Sequence, residues 1–149
     1  MGDGDYSRSV GEAAVRGVLG AMAMTGLRRV TIGLGLLRKP PPEEIATEGV
    51  PRLLARIPPG KRGAAIELAH WSFGALASVG YVFLPERLLR RRASGPLYGL
   101  AIWALYVATV APLFEADRAA DRTTGDRIAL ALDHALYGVI IQRPTSRRE

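Results

Sequence analysis

Apolar residues are concentrated in four long segments of the chain, which charged or turn-forming residues separate. The four segments are residues 11–37, 64–84, 96–113 and 127–142. The clearest of them, 96–113, holds no charged residue over its whole length. Because about 20 residues of α-helix cover the ~30 Å hydrocarbon core of a bilayer, we interpret the segments as transmembrane helices. The pattern predicts an all-α fold in which one domain, 1–149, forms a four-transmembrane-helix bundle.

A soluble four-helix bundle is the competing interpretation of the same pattern. It accounts more easily for the short fourth segment and for Arg28 and Arg29 inside the first one. A helix that faces water, however, places a polar residue on its outer side in nearly every turn. Residues 71–85 and 96–113 contain no charged residue. This absence favours the bilayer over water as the surroundings of the bundle.

The connector between the first two helices, residues 38–63, is rich in proline. It opens with three consecutive prolines at 40–42 and ends with Pro58-Pro59-Gly60. Apolar residues between these prolines predict a short amphipathic helix that lies against lipid. These residues are Ile45, Val50, Leu53, Leu54 and Ile57. The remaining parts, 1–10 and 143–149, are polar tails, and the acidic start of the chain does not predict a cleavable signal peptide.

Turn and capping signals predict where the helices end and how they pack. Asp126 is a candidate N-cap of the fourth helix, and Pro144 marks its end. Glu115 and Asp117 follow the third helix directly. Small residues recur in the first two helices, where they allow two helix backbones to approach closely. Gly33-Leu34-Gly35 is interpreted as such a contact and not as a phosphate-binding loop, because the Walker lysine is missing.

The chain carries a net charge of +6 and contains no cysteine. Disulfides and thiolate chemistry are therefore excluded. The arginines form short clusters beside the apolar segments, such as Arg90-Arg91-Arg92, which suits an anionic lipid surface better than the groove of a nucleic acid. The predicted partners are the lipid bilayer and a homo-oligomer or membrane-protein partner, with no nucleic acid.

Several polar residues inside the apolar segments are predicted to meet at one depth of the bundle. They are Arg28, Arg29, Glu67, His70, Asp133 and His134. Each histidine lies about seven residues from the start of its helix, which is roughly 10 Å at 1.5 Å per residue. The two arginines lie roughly 12–14 Å from the end of the first helix on the same side. Two roles stay open: a structural ion pair that neutralises buried charge, or a proton or ion relay.

Cofactor chemistry has little support in the sequence. His70 and His134, at matched depth, could together ligate a haem b iron, which is kept as an alternative to no cofactor. The Glu67-x-x-His70 spacing occurs in di-iron bundles, but a second such motif is missing, so a di-iron site is rejected. No metal site is predicted otherwise. No combination of residues has the spacing of a catalytic site, so no enzyme activity is expected.

Short glycine–aromatic motifs carry a resemblance to a known family. The motif residues are Arg28-Arg29, the prolines at 40–42, His70-x-x-Phe73-Gly74, Gly80-Tyr81, Gly95-x-x-Tyr98-Gly99-x-x-x-Trp103, Pro112 and Asp133-His134-x-x-Tyr137-Gly138. Over residues 12–140 the chain resembles the YagU-like family of uncharacterised bacterial inner-membrane proteins. The resemblance implies a multi-pass protein of the bacterial inner membrane with no established biochemical activity and no catalytic residue.

The leading functional hypothesis is a small multi-pass membrane protein without enzymatic activity, whose polar cluster is structural or handles protons or ions. One alternative is a haem- or metal-binding membrane subunit that uses His70 and His134. The other alternative is a soluble helical interaction module.

Overall fold

The computed structural model describes residues 3–36, 41–114 and 122–142, and within these ranges it contains helices and turns but no strand. The helices are α1 (Asp3–Gly33), α2 (Pro41–Glu44), α3 (Pro51–Ala55), α4 (Arg62–Val82), α5 (Glu86–Leu89), α6 (Ser94–Leu105), α7 (Ala111–Phe114) and α8 (Thr124–Ile141). Two π-helical turns, Ile45–Gly49 and Tyr106–Val110, and one 3₁₀ turn, Pro59–Lys61, lie between them. The prediction of an all-α fold is confirmed.

Helix α1 ends four residues before the predicted end, and Gly35 explains where. Gly35 has a φ of 71°, in the left-handed region that glycine adopts without steric cost. Its N–H donates to the carbonyl of Ile32, and the N–H of Leu36 donates to the carbonyl of Thr31. This pair of bonds is a Schellman motif, which satisfies carbonyls that a helix end would otherwise leave open. Gly35 therefore terminates α1. A Cβ at Gly33 or Gly35 would touch no other residue within 4 Å, so these two glycines do not form the predicted contact with another helix of the described ranges.

Helix α8 begins with a capping box, one turn earlier than the predicted cap. Thr123 is the N-cap, and its hydroxyl oxygen accepts from the backbone N–H of Asp126. The carboxylate of Asp126 accepts from the N–H of Thr123 in return, at 2.9 Å. Asp126 thus occupies the third helical position, and its predicted role as N-cap is wrong. The predicted stop at Pro144, the acids Glu115 and Asp117, and the tail 143–149 lie outside the described residues.

The four longer helices pack as a bundle in which α1 contacts both α4 and α8, and α6 contacts α8. Glycines make these contacts close. Gly17 of α1 lies against Gly74 of α4, and Gly95 of α6 lies against Gly138 of α8, so that an added Cβ at any of the four would meet backbone of the facing helix. Two helix backbones can approach this closely only where side chains are absent.

Tyrosines join a further pair of helices, α4 and α6, at one end of the bundle. The rings of Tyr81 and Tyr98 meet edge to face with their centroids 5.2 Å apart, a favourable geometry for aromatic pairs. The Tyr98 hydroxyl donates to the carbonyl of Ala77 at 2.8 Å. The hydroxyl of Tyr81 and that of Ser94 share a hydrogen bond of 2.6 Å. Aromatic side chains therefore fill the space that the glycine contacts leave between α4 and α6.

The connector is built of short helical pieces in place of one amphipathic helix. Helix α2, the π-helical turn and α3 follow one another with proline at the start of each α-helical piece, a position where the missing N–H costs nothing. Leu53 is exposed, whereas Leu54 and Ile57 are half-buried. The five apolar residues predicted to lie against lipid therefore do not share one face. The part of the predicted connector at 38–40 lies outside the described residues.

Within the described ranges, no helix combines the length and the apolar character that crossing a bilayer requires. The prediction of a four-transmembrane-helix bundle is therefore not supported, and the predictions of a multi-pass membrane protein and of a bacterial inner-membrane location are wrong. The physical reasons differ between helices. The apolar third segment is divided, because α6 has 12 residues and a π-helical turn follows it. Helix α4 is long enough with 21 residues, but Glu67, His70 and Ser72 dilute its apolar residues.

Candidate functional site: a buried polar cluster

Arg28 is the centre of a group of polar side chains in the interior of the bundle. It is 6% exposed and belongs to the face of α1 that also buries Gly17, Ala21 and Met24. Its Nε donates to Oδ2 of Asp133 on α8 at 2.8 Å, and its terminal nitrogen donates to Nε2 of His70 on α4 at 2.7 Å. One guanidinium thus ties together three helices. Arg28, His70, Asp133 and His134 are called the buried polar cluster below.

Asp133 is the negative partner of Arg28 and is deeply buried, with 2% of its surface exposed. Burial raises the pKa of Asp133 to about 6, although the charge of Arg28 and the hydrogen bond from it act in the opposite direction. The direction follows from the cost of holding a carboxylate away from water. At neutral pH the pair is therefore an ion pair, with Asp133 close to the pH at which it takes up a proton.

The hydrogen bonds assign a tautomer to each histidine. Arg28 can only donate, so Nε2 of His70 is the accepting nitrogen and the proton of the neutral ring lies on Nδ1. His134 donates from Nδ1 to the carbonyl of Leu130 at 2.8 Å, which leaves the lone pair on Nε2. Burial lowers the pKa of His70 to about 3, with Arg28 and His134 acting in the same direction. Burial likewise lowers the pKa of His134 to about 4.

The other two residues of the predicted set lie apart from this cluster. Glu67 accepts a hydrogen bond of 2.8 Å from the hydroxyl of Thr25, so that it is bound to a neutral group. Arg29 is exposed on the outer side of α1. The structure therefore brings together four of the six predicted residues, Arg28, His70, Asp133 and His134, and places the other two elsewhere.

Three polar residues outside the predicted site, Thr25, Trp71 and Tyr137, hold the helices beside the cluster. Thr25 binds Glu67, and Trp71 points its indole N–H at the same hydroxyl, 3.5 Å away. Tyr137 of α8 donates its hydroxyl to the carbonyl of Gly74 at 2.5 Å. Thr25 lies three residues before Arg28 and hence on a neighbouring part of the same helix face. That spacing is the signal that could have identified it.

A haem between the two histidines is not favoured by this geometry. An imidazole binds iron through a nitrogen that carries a lone pair. In His70 the nitrogen with the lone pair already accepts from Arg28, and only His134 keeps one available. In the described part of the chain, no group of three or more histidine, cysteine or acidic residues has the arrangement of a metal site. The haem alternative stays a prediction, which an absorption spectrum of the purified protein would test.

The pKa shifts favour a structural role of the cluster over a proton relay. A relay residue must exchange its proton near the working pH, and both histidines stay neutral far below neutral pH. The charge of Arg28 acts on both histidines and repels an added proton. The arrangement suits a fixed ion pair with neutral imidazoles around it, which sets the register of α1, α4 and α8.

Acid is expected to destabilise the fold well before ordinary carboxylates titrate. As the pH falls from 6.5 to about 5, the unfolded chain protonates both histidines at their ordinary pKa, whereas the folded chain keeps them neutral. Asp133 partly compensates, because the folded chain takes up a proton near pH 6 that the unfolded chain does not bind. The unfolded state thus binds more protons than the folded state, so stability falls as the pH falls through this range.

Urea unfolding at a series of pH values measures this dependence. The matched control is the double variant His70→Gln and His134→Gln, which leaves Asp133 as the titrating group of the cluster. Its stability should rise as the pH falls through 6, because the raised pKa of Asp133 then acts without opposition. If the free energy of unfolding of the wild type stays constant or increases as the pH is lowered from 6.5 to about 5, the pKa assignments are contradicted.

Comparisons with known proteins give no family assignment. No family model matches the chain, and searches of the curated proteins and of the solved structures give no match either. The resemblance to the YagU-like family therefore stays a prediction, and the chain is described by its fold and its cluster alone.

Proposed function

We propose that the chain is a helical interaction module that binds an apolar helix of another protein through the outer face of α4. The observation that carries this proposal is the distribution of large apolar side chains. In the described residues, twenty-one of them are at least 38% exposed, whereas five are buried. The interior combines these few large side chains with small residues and the buried polar cluster. Extensive exposed apolar surface is typical of a surface that another molecule covers.

The outer face of α4 has the spacing of a coiled-coil seam. Its residues follow one another at intervals of four, three, four and three positions and are Ala69, Phe73, Leu76, Gly80 and Phe83, the last of which is the C-cap directly after the helix. The three large ones are 60%, 71% and 61% exposed, respectively. A repeat of 3.5 residues keeps such a stripe facing a partner helix, whose side chains insert between its own. The α4 seam, as we call these five residues, therefore fits an α-helix with the same apolar repeat.

Charges at the two ends of α4 indicate which kind of helix binds there. Lys61 and Arg62 stand at the start of α4, and Arg87 and Arg90 to Arg92 follow its end. Two helices with positive charge at both ends repel each other in either orientation. The seam therefore suits a partner helix with acidic residues at both ends, and it does not suit the α4 seam of a second copy.

The buried polar cluster supports this function by fixing the geometry of the scaffold. A seam recognises a partner only if its helix is held in one position, since ordering a mobile helix on binding costs free energy. Arg28 joins α4 to α1 and α8 through two hydrogen bonds. Tyr137 and Thr25 hold α4 at two further points. These contacts hold the inner face of α4 in place, so its outer face has a fixed position for a partner helix.

A designed peptide tests the proposed binding mode. We expect the protein, in buffer without detergent, to bind a fluorescein-labelled helix of about three apolar heptads with glutamates at both ends. Binding to the same peptide with lysines at both ends should be at least about tenfold weaker, because the ends of α4 are positive. Fluorescence anisotropy measures both affinities.

Two double variants test the surface. Phe73→Asp with Leu76→Asp should weaken binding of the acidic-ended peptide by at least about tenfold, since it places charge inside the seam. Ile128→Asp with Leu132→Asp, on exposed positions of α8, is the matched control and should leave binding unchanged. Equal binding of both peptides, equal effects of both variants, or a protein that stays in solution only with detergent would each contradict the proposal.

A further inference from the structure

A second exposed stripe runs along α1, on the side opposite to the residues that α1 buries. Its positions follow one another at intervals of three, four, three, four and three residues. They are Glu12, Val15, Leu19, Met22, Gly26 and Arg29, and all six are exposed. The inner face of the same helix, with Ala21 and Arg28, is fully used by α4 and α8. A partner on the outer stripe, called the α1 stripe below, therefore leaves the contacts of this inner face in place.

The α1 stripe matches itself when it is reversed. Its centre lies between Gly20 and Ala21, and the positions on either side mirror one another. Reversal places Glu12 opposite Arg29, Val15 opposite Gly26 and Leu19 opposite Met22. Acid thus meets base at both ends, and apolar residues meet in the middle. This is the self-complementarity that an interface with two-fold symmetry requires.

We propose that α1 pairs antiparallel with α1 of a second copy of this chain, so that the module is a dimer. The inference rests on the proposed function in one respect, namely that exposed apolar helix faces are binding surfaces, but it uses a different helix. The charges select the orientation. A parallel pair would place Glu12 against Glu12 and Arg29 against Arg29, whereas the antiparallel pair forms two ion pairs of opposite charge.

Gly26 makes room for the larger residue that it faces. A Cβ built at Gly26 would meet nothing within 4 Å in the described part of the chain, so the surface there is open. In the antiparallel pair the partner's Val15 lies opposite this glycine and can enter the gap, as a knob enters a hole in a coiled coil. The stripe from Glu12 to Arg29 extends over roughly 26 Å at 1.5 Å per residue. That length gives more than two heptads of contact.

Charge reversal with rescue tests the pairing by sedimentation equilibrium. The wild type is expected to form a concentration-dependent dimer. Arg29→Glu should weaken it by about tenfold or more, because two opposite-charge contacts become like-charge contacts. Glu12→Arg should act in the same direction. The double variant Glu12→Arg with Arg29→Glu restores both attractions and should dimerise as the wild type does. If either substitution weakened the dimer only by disturbing the fold of α1, the two losses of dimer affinity would add in the double variant, and the dimer would not be restored.

Cysteine trapping tests the register, and the chain suits it because it contains no cysteine of its own. Leu19→Cys mixed with Met22→Cys should give a disulfide-linked mixed dimer, since these positions face each other. A mixture of Val15→Cys with Leu19→Cys should give much less. A wild type that stays monomeric, a double variant that is not rescued, or equal trapping in both mixtures would overturn the proposal.

The two surfaces can be told apart in the same samples. The Phe73→Asp and Leu76→Asp double variant should keep the dimer while it loses the acidic-ended peptide. Arg29→Glu should lose the dimer while it keeps the peptide. Loss of peptide binding with an intact dimer therefore counts against the proposed function alone, and loss of the dimer with intact peptide binding counts against the pairing of α1 alone.

Discussion

Replacement of Arg28 by methionine is expected to lower the free energy of unfolding by about 3–5 kcal/mol, the range for breaking a buried ion pair from one side. The methionine fills much of the space but leaves the carboxylate of Asp133, 2% exposed, without its counter-charge. His70 also loses the donor to its ring nitrogen. Part of the cost will be met by protonation of Asp133, whose pKa burial already raises. The midpoint of urea unfolding should therefore shift strongly and in a pH-dependent manner.

Two further variants separate the charge from the packing. Arg127→Met removes an exposed arginine from α8 and should change stability by no more than about 0.5 kcal/mol. Arg28→Met combined with Asp133→Leu removes both charges and should recover most of the loss, as replacement of whole buried ion pairs by apolar residues does. If Arg28→Met alone is as stable as Arg127→Met, then Arg28 does not hold the three helices together.

Gly138→Val is expected to give the second large effect, at or above the upper end of the about 1–3 kcal/mol that overpacking costs. A Cβ at Gly138 would meet backbone atoms of Gly95 and Pro96 on α6. Backbone cannot move aside as the end of a flexible side chain can, so α6 must shift away from α8. The shift would also pull Gly95 from the side chain of Gln142, which accepts its N–H at 3.3 Å.

Gly11→Val is the matched control for this substitution. Gly11 lies in α1, and a Cβ there would meet nothing within 4 Å. Its replacement should change the free energy of unfolding by less than about 0.5 kcal/mol. Thermal unfolding followed by far-UV circular dichroism compares both variants with the wild type. A Gly138→Val protein that unfolds at the wild-type temperature would show that α6 and α8 are not in close contact.

The positions of the main helices could be predicted from the apolar segments, because the turn signals between them are strong. The sequence predicts that glycines make close helix contacts, but it does not predict which two glycines face each other. Which glycine faces which depends on the register of α1 against α4 and of α6 against α8, and one sequence contains no information on pairs. The end of α1 was misjudged because a glycine within an apolar run was interpreted as a helix contact, whereas Gly35 closes a Schellman motif.

The cluster shows what an estimate of depth can and cannot resolve. Depth along the helices places both arginines and both histidines at similar levels, but neighbouring residues of a helix point about 100° apart, so only one of Arg28 and Arg29 can face inward. Arg28 continues the stripe of Gly17, Ala21 and Met24. Its side chain points back toward the start of α1, as helical side chains do, and so it reaches His70. Because Arg28 contacts His70, Glu67 accepts its hydrogen bond from Thr25 instead.

The assignment to a bilayer was wrong for a reason that the outer faces of the helices explain. The lack of charge in residues 71–85 and 96–113 predicts lipid around these segments. Large apolar side chains of these residues, Phe73 and Leu105 among them, are indeed exposed. No described helix, however, has the length and apolar character for a span. Periodicity identifies an apolar outer face but does not identify what covers it.

The link between Arg28 and Asp133 also has a consequence for the order of events during synthesis. The two residues are 105 positions apart, and ribosomes add about 5–20 residues per second, so roughly 5–20 s pass between the making of one and of the other. Throughout that interval the guanidinium of Arg28 cannot meet its carboxylate, because α8 does not yet exist. Helix α1 can therefore take its final place only after α8 has been translated, and closure of the bundle follows the synthesis of its last helix.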